Sequence, residues 1–220
     1  MRATTYLPDD RISDSIMLML PSGPYLVTTR NEDGSINVAP FGWVMNVSWS
    51  PPVVAAALVD TPTKQQTLIN IERDGEFVIN VPDLDLAEKL VKCSYRFPPQ
   101  RNKFVDVGFE EAPSRKVKVP GIGEARARIE CRMTDSLVPG DHKLIIGSVL
   151  AACYDPEAYT PNLLLKPDKA PPCITLGHFK KEGGQVHFFL CTTGTFFADV
   201  PYDGTKSHDA PWIEAMEGKG

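Results

Sequence analysis

A group of hydrogen-bond donors precedes a predicted helix in the first half of the chain. Two hydroxyls, one amide and one ammonium supply these donors, and their residues are Thr63, Lys64, Gln65 and Thr67. A helix N-terminus carries unpaired N–H groups and a partial positive charge, which favour an anion such as phosphate. Because Lys64 adds a full charge, the segment is a candidate phosphate site. The alternative is an ordinary capped surface helix with a solvated lysine.

A second group of residues, rich in small, apolar and aromatic types, lies shortly before these donors. Its members are Ala39, Pro40, Phe41, Gly42, Trp43, Asn46, Val47 and Ser48. Small or stiff residues let a flat ring approach the backbone, and Phe41 and Trp43 can form walls. A planar, partly apolar ligand with a phosphate needs both groups, and flavin mononucleotide (FMN) has this chemistry. Flavin chemistry belongs to the cofactor, so a catalytic triad is not required. The alternative is that the aromatic residues are plain core.

His142 is the candidate catalytic residue. It follows a turn at Gly140 and Asp141. A histidine at a strand end beside an acid could orient a nicotinamide or transfer a proton. The alternative is a turn histidine whose ring is in solvent.

Neither the histidines nor the cysteines show the spacing of a metal site. The four histidines form no HxxxH or HxH pair, and the five cysteines form no CxxC pair. We therefore predict no metal and no disulfide framework. Most cysteines are expected to be small buried hydrophobes, whereas Cys93 follows a helical pattern and is expected to be more exposed.

Short strands dominate the elements that must position these residues. A turn at 31–34 joins strands predicted at 25–29 and 36–39, and residues 41–47 continue as extended chain. After two prolines, the apolar run 53–59 predicts a buried strand. Thr63 is the predicted N-cap of a helix over 63–73, and a strand follows at 76–81. A capping box at Asp85 predicts a second helix.

The second half of the chain adds a long hairpin. Residues 94–123 predict an irregular segment, 125–138 and 142–153 predict paired strands, and 174–176 and 186–190 predict two more. Many antiparallel strands with two helices favour a mainly β barrel or sandwich over an alternating βαβ fold. The sequence contains no GxGxxG after a strand and no GxxxxGK[ST], so a Rossmann or P-loop nucleotide site has no support.

The length, charge and hydropathy of the chain argue against a nucleic-acid-binding, membrane or secreted protein. A chain of 220 residues predicts one domain or a domain with a tail. The net charge of −5 argues against a nucleic-acid partner. No apolar run approaches the roughly 18 residues needed to cross a membrane, and the polar N-terminus lacks a signal-peptide core. We therefore expect a cytoplasmic protein.

Several short motifs, in this order, resemble the flavin reductase-like family and its flavoredoxin-like branch. The resemblance covers about residues 20–177. It rests on Thr28 and Thr29, Gly34, 37–41, 46–48 before Pro51 and Pro52, 67–70, 75–80, 86–89, 129–131, 140–142 and Gly147.

This resemblance implies a six-stranded antiparallel Greek-key split barrel that binds FMN near the interface of a homodimer. The barrel would span 20–180, between an N-terminal segment 1–19 and a C-terminal extension 181–220. Lys64 and Thr67, with Ser48 and Thr63, would bind the phosphate. The ring would lie along 40–46, and His142 would face the nicotinamide. Many relatives have serine where this chain has Gly42.

Three functions follow from these residues and this resemblance. The first is an enzyme that passes electrons from NADH or NADPH through FMN to free flavin or another acceptor. The second is an electron carrier of the flavoredoxin type, reduced by a redox protein partner. The third is a non-catalytic FMN binder, or a barrel with another ligand.

Overall fold

The computed structural model describes residues 23–62, 64–95, 97, 102–161, 163, 165–180, 186–191 and 197–202. Its strands in chain order are β1 (Tyr25–Arg30), β2 (Ile36–Phe41), β3 (Val44–Ser48), β4 (Val53–Val59), β5 (Glu76–Val81), β6 (Glu111–Ala112), β7 (Gly121–Ile122), β8 (Ala127–Leu137), β9 (His142–Tyr154), β10 (Ile174–Lys180), β11 (Val186–Cys191) and β12 (Phe197–Tyr202). Its α-helices are α1 (Gln66–Asp74), α2 (Ala87–Ser94) and α3 (Lys103–Val107).

Seven strands form the main sheet, in the order β2-β1-β5-β8-β9-β4-β3 with every neighbouring pair antiparallel. If the sheet were flat, β2 and β3 at its two edges would lie roughly 29 Å apart. Only Gly42 and Trp43 join them, and such a link reaches roughly 11 Å. The sheet therefore curls until its edges approach, which confirms the predicted mainly β split barrel. It has seven strands where six were predicted.

The predicted β1–β2 hairpin is confirmed. Its turn is possible because Gly34 adopts a left-handed φ of 86°, and Asp33 Oδ1 accepts a hydrogen bond from the Ser35 backbone N at 2.9 Å. The prediction of one extended segment over 41–47 is wrong at Gly42, where the chain bends between β2 and β3. That bend lets consecutive strands occupy opposite edges of the sheet.

The apolar side chains on the concave face of the curled sheet form the barrel core. This cluster includes Val27, Leu58, Phe77 and Ile145 from four strands, together with Leu68 and Ile71 of α1. Helix α1 therefore closes one opening of the barrel. A second cluster lies where α2 and α3 pack against β1 and β2, and Leu26, Leu90 and Phe104 belong to it.

Helix α1 begins at Gln66 rather than at the predicted 63, so the expectation that Thr63 is the N-cap is wrong. Gln65 occupies that position with extended backbone and no side-chain cap. The helix ends as predicted at Gly75, whose φ is 71°. Thr63 itself lies outside the described residues.

The second predicted helix is confirmed as α2, but the predicted cap is shifted by two residues. Asp83 accepts a hydrogen bond from the Asp85 backbone N at 3.2 Å and starts a 3₁₀ turn, Leu84–Leu86, that leads into α2. Cys93 on α2 is 0% exposed, so the expectation that it is more exposed is wrong. Burial raises the pKa of the Cys93 thiol to about 12. The thiol is therefore protonated at neutral pH and packs as an apolar group in the core.

The later elements confirm the long hairpin and add pieces that the sequence patterns did not reveal. Strands β8 and β9 pair as predicted. The segment predicted to be irregular contains α3 and the short β6–β7 pair. Strands β10, β11 and β12 form a separate three-stranded sheet, in which β12 was not predicted. The predicted domain boundary after residue 180 falls between the paired strands β10 and β11.

Close packing of Gly147 in β9 leads to a stability prediction. A Cβ atom at this position would lie 2.7 Å from Phe77 Cζ, and Phe77 is buried in the barrel core. Because Phe77 has no open space to move into, we expect Gly147→Ala to lower the free energy of unfolding by about 1–3 kcal/mol. Urea unfolding measures this. Gly140→Ala is the matched control, since nothing lies within 4 Å of its added Cβ. Equal midpoints for the two variants would contradict the prediction.

Candidate functional site

An open groove of about 470 Å³ lies along the β3 edge of the barrel. Two of its residues are polar, Asn46 and Ser48, and the others supply apolar walls. The lining residues are Asn46, Val47, Ser48, Trp49, Pro52, Val53, Val54 and Val149. The groove has the volume of a small-molecule site and the mixture of apolar wall and few polar groups that such sites have.

Large apolar side chains are unusually exposed along β3 and just after it. Trp43, Met45 and Val47 are about half exposed, and Trp49 is 94% exposed. Beneath them on the neighbouring strand lie small residues, since Met45 pairs with Ala55 and the Ala57 N donates to the Trp43 O at 2.9 Å. A continuous exposed apolar surface of this kind is typical of a ligand or protein interface.

His142 and Trp43 are in direct contact, although they are 99 positions apart in the sequence. Their ring centroids are 4.7 Å apart, with the planes tilted by 40°. On its other side, His142 Nδ1 lies 2.7 Å from Asp141 Oδ1. The contact arises because His142 pairs with Val59 at the end of β4, and Trp43 enters β3 beside the same end. The histidine ring is thus held between an aromatic wall and a carboxylate.

Lys64 lies in a group of charged side chains at the same end of β4. Its Nζ donates to Glu72 Oε2 at 2.9 Å and lies 3.5 Å from Asp60 Oδ1. Lys143 Nζ donates to Glu72 Oε1 at 2.6 Å. The hydrogen bond with Glu72 raises the pKa of Lys64. Hydrogen bonds from Lys143 and Lys64 lower the pKa of Glu72, so Glu72 is a carboxylate at neutral pH.

Thr67 and Gln65, the other predicted phosphate ligands of this segment, have partners within the protein. Thr67 is 1% exposed, and its Oγ1 accepts a hydrogen bond from Asn37 Nδ2 at 2.9 Å. Asn70, one turn later, donates to Thr29 Oγ1 at 3.0 Å. This network attaches α1 to the β1–β2 hairpin. Gln65 Oε1 accepts a hydrogen bond from the Val59 N at 3.1 Å, at the end of β4.

The predicted ring-binding residues divide between the two edges of the sheet. Ala39 and Pro40 are half-buried on β2, and Phe41 is in the barrel core. Gly42 and Trp43 form the exposed link, and Asn46, Val47 and Ser48 lie on β3 in the groove. Along β4, the five residue steps from Val54 at the groove to Val59 beside His142 span roughly 17 Å. The predicted residues therefore lie on β2, on β3 and on the two-residue link between these edge strands.

Eight residues of this region were absent from the predicted site, and Pro52, Val53, Val54 and Asp60 are four of them. The other four lie at the groove and beside Lys64. They are Trp49, Val149, Glu72 and Lys143. Lys143 follows the predicted catalytic histidine directly, and that position was the available signal. Glu72 meets Lys143 across 71 positions, so no local pattern reveals the pair.

The described part of the chain has neither a metal-binding cluster nor a membrane-spanning helix. Among those residues, no group of three or more histidine, cysteine, aspartate or glutamate side chains could hold a metal ion. No described helix is long and apolar enough to span a membrane.

Comparison with known proteins gives consistent matches over most of the chain. The family model of the flavin reductase like domain matches residues 17–172. An uncharacterized protein of Pyrococcus abyssi is 38% identical over 149 residues, which cover 66% of this chain and 83% of that protein. A protein of Kitasatospora aureofaciens named flavin reductase (NADH) is 33% identical over 148 residues, or 67% of this chain and 73% of that protein.

The structural comparison agrees. Nitrilotriacetate monooxygenase component B from Bacillus cereus superposes with a TM-score of 0.71 at 19% identity, covering 91% of this chain and 97% of that chain. At this identity the likeness concerns the fold.

Proposed function

Because the chain belongs to the flavin reductase-like family, we propose that it is an FMN-dependent oxidoreductase that takes electrons from NADH or NADPH. The acceptor would be free flavin or another electron acceptor. The observation that carries this proposal is the continuity of the β3 edge. The groove at Asn46 and Ser48 lies on β3, and Trp43, which contacts His142 of β9, directly precedes that strand. The relative named flavin reductase (NADH) supports a nicotinamide donor.

The residues present fit a flavin. A tricyclic ring needs a slot with apolar walls and a few hydrogen-bonding groups, and the groove offers valine and tryptophan side chains with Asn46 and Ser48. The phosphate needs cations, and Lys64 lies at the far end of β4. A bound flavin would supply the two-electron chemistry. The side chains of this edge would bind it, exclude water from it and orient the electron donor.

His142 is proposed to act on the donor side of the site. A carboxylate only accepts hydrogen bonds, so Asp141 favours the neutral tautomer of His142 that carries its proton on Nδ1. Nε2 is then an acceptor for a donor amide or for a proton. Trp43 limits the rotation of the ring from its other face. The histidine ring therefore contacts both groups before any substrate binds.

The exposed apolar surface supports a homodimer. Trp43, Met45, Val47 and Trp49 would be covered by a second copy of the chain, and the burial of such side chains drives association. A dimer of this kind would also enclose the groove. Sedimentation of the purified protein tests this proposal.

Spectroscopy of the purified protein under anaerobic conditions tests the function. The protein is supplied with FMN, the visible flavin absorbance is recorded, and NADH or NADPH is then added. We expect a bound flavin whose absorbance bleaches rapidly with one of the donors. A bound flavin that stays oxidised with NADH and NADPH but is reduced by a reduced ferredoxin system would indicate an electron carrier instead of an NAD(P)H-dependent enzyme. A flavin that neither system reduces would indicate a non-catalytic binder, and absence of flavin binding would contradict the proposal.

Substitution of Lys64 tests the proposed phosphate contact. A charge-assisted hydrogen bond contributes roughly 1.5–3 kcal/mol, so we expect Lys64→Ala to weaken FMN binding about tenfold to a hundredfold. Fluorescence titration with FMN measures the dissociation constant. Lys92→Ala is the control, since Lys92 forms a comparable pair with Glu88 on the surface of α2. An unchanged affinity in Lys64→Ala would remove this residue from the site.

A further inference from the structure

Two lysines from different parts of the chain converge on a single carboxylate. Lys64 comes from the segment before α1, Lys143 from β9, and Glu72 from the last turns of α1. Lys143 Nζ lies 2.6 Å and Lys64 Nζ 3.2 Å from the same oxygen, Glu72 Oε1. Lys64 also donates to Oε2 at 2.9 Å. Two ammonium groups repel each other at such a separation, so this geometry requires an anion between them.

The lysine pair adjoins the candidate active site. The Asp60 backbone N donates to the Asp141 O at 2.8 Å, which joins the segment of Lys64 to the turn before His142. Lys143 is the next residue after His142. The two ammonium groups therefore lie beside the end of the edge that holds Trp43 and His142.

We propose that Lys64 and Lys143 form a paired cation site for a nucleotide phosphate monoester, and that Glu72 occupies this site as an internal counterion until the phosphate binds. The inference rests on the proposed function. The phosphate belongs either to the 5′-phosphate of FMN or to the 2′-phosphate that distinguishes NADPH from NADH. Both are monoesters with three terminal oxygens.

The exposure of the three groups makes the exchange possible. The side chains of Lys64, Glu72 and Lys143 are 39%, 26% and 20% exposed, so solvent and ligand reach them. A phosphate monoester carries close to two negative charges and three strong acceptors at neutral pH, whereas the carboxylate carries one charge and two oxygens. The phosphate therefore offers the two ammonium groups more negative charge and one more acceptor oxygen than Glu72 does.

Two substitutions with opposite expected effects test the proposal on the full-length protein. Lys143→Met removes one cation and should reduce the preference for the phosphate-bearing ligand about tenfold. Glu72→Gln removes the anion that both lysines share, although Asp60 still lies 3.5 Å from Lys64, and should raise that preference about three- to tenfold at low salt. The preference is measured as the ratio of affinities for FMN over riboflavin and for NADPH over NADH. A change in the FMN/riboflavin ratio would assign the site to the FMN phosphate, and a change in the NADPH/NADH ratio would assign it to the 2′-phosphate of NADPH.

A comparable ion pair elsewhere supplies matched controls. Lys89 and Glu124 are 2.7 Å apart with side chains 31% and 28% exposed, and Lys89→Met and Glu124→Gln should leave both ratios unchanged. Thermal unfolding of each variant checks that it is folded, and Lys143→Gln replaces Lys143→Met if the latter is not.

The inference is overturned if neither ratio responds to the two substitutions, or if the wild type shows no phosphate-dependent preference in either pair. Flavin binding that persists in that case leaves the proposed function intact. Loss of all flavin binding in the wild type contradicts the proposed function itself.

Discussion

Arg126→Met is expected to lower the free energy of unfolding by about 3–5 kcal/mol, because it leaves a buried carboxylate without its counterion. Arg126 Nε donates to Asp83 Oδ2 at 2.6 Å, and the Asp83 side chain is 3% exposed. Arg126 Nη1 also donates to Asp155 Oδ2 at 3.0 Å. The hydrogen bond with Asp83 raises the pKa of Arg126 above its ordinary value. One guanidinium therefore compensates two acids.

The position of Asp83 explains why the loss should be large. Its other oxygen, Oδ1, accepts from the Asp85 backbone N and starts the turn that leads into α2. Its backbone also bridges to Pro172. The carboxylate cannot move to solvent without breaking these contacts. Methionine keeps most of the packing volume of arginine but supplies no donor.

Urea unfolding with a matched exposed pair measures the effect. Arg132 Nη2 lies 3.1 Å from Glu76 Oε1, with side chains 53% and 14% exposed, and Glu76 keeps a hydrogen bond from the Lys118 N at 2.8 Å when Arg132 is replaced. Because exposed ion pairs contribute about 0–1 kcal/mol, Arg132→Met should change stability little. Adding Asp83→Asn to Arg126→Met should recover part of the loss, since it removes the buried charge. Equal losses in the two arginine variants would show that Asp83 is not the cause.

Local sequence patterns predicted most strands of this protein, although they did not reveal β6, β7 or β12. The run at Val53–Val59 is confirmed as β4, and glycines occupy the turn of the first hairpin and the end of α1 as expected. These features depend on neighbouring residues alone. The curling of the sheet does not, because it follows from pairing between strands distant in sequence. Its prediction came from the resemblance to a known family.

The errors at the helices have a common physical cause. A helical pattern shows which residues share a face but not which face is covered. Thr67 and Asn70 lie one turn apart and bind polar groups of the β1–β2 hairpin, so a hydroxyl expected to bind ligand is buried. Cys93 is likewise buried by packing between α2 and its neighbours. Tertiary contacts decided both positions.

The sequence predicted several residues of the candidate site but not the contacts between them. Asn46, Val47 and Ser48 line the groove, whereas Phe41 belongs to the barrel core. The contact of Trp43 with His142 depends on the β4–β9 register. Glu72 of α1 and Lys143 of β9 meet because the helix packs beside this end of the sheet. Register is a property of the assembled sheet, so single segments cannot reveal these pairs.

His142→Ala is expected to slow the reduction of bound flavin by NADH or NADPH about 100-fold or more, which is the range for loss of a positioned acid–base group. FMN affinity should stay within about twofold, since the Trp43 wall and the groove residues remain. Anaerobic stopped-flow absorbance measures the rate at saturating donor, and titration measures the affinity.

Two further variants separate the chemistry of His142 from its contribution to the fold. Asp141→Asn keeps the ring but replaces an obligatory acceptor 2.7 Å from Nδ1 by an amide that can also donate. The variant should therefore no longer favour one tautomer of His142, and its rate of flavin reduction should lie between those of the wild type and His142→Ala. Trp43→Phe retains an aromatic wall against the ring, so its rate of flavin reduction should be close to that of the wild type. Trp43→Ala removes the wall and should reduce flavin more slowly. If His142→Ala instead loses FMN binding and thermal stability together, the histidine supports the β4–β9 end of the barrel, and the acid–base group must be sought elsewhere on this edge. A rate that falls while binding and stability hold would place Nε2 of His142 at the donor.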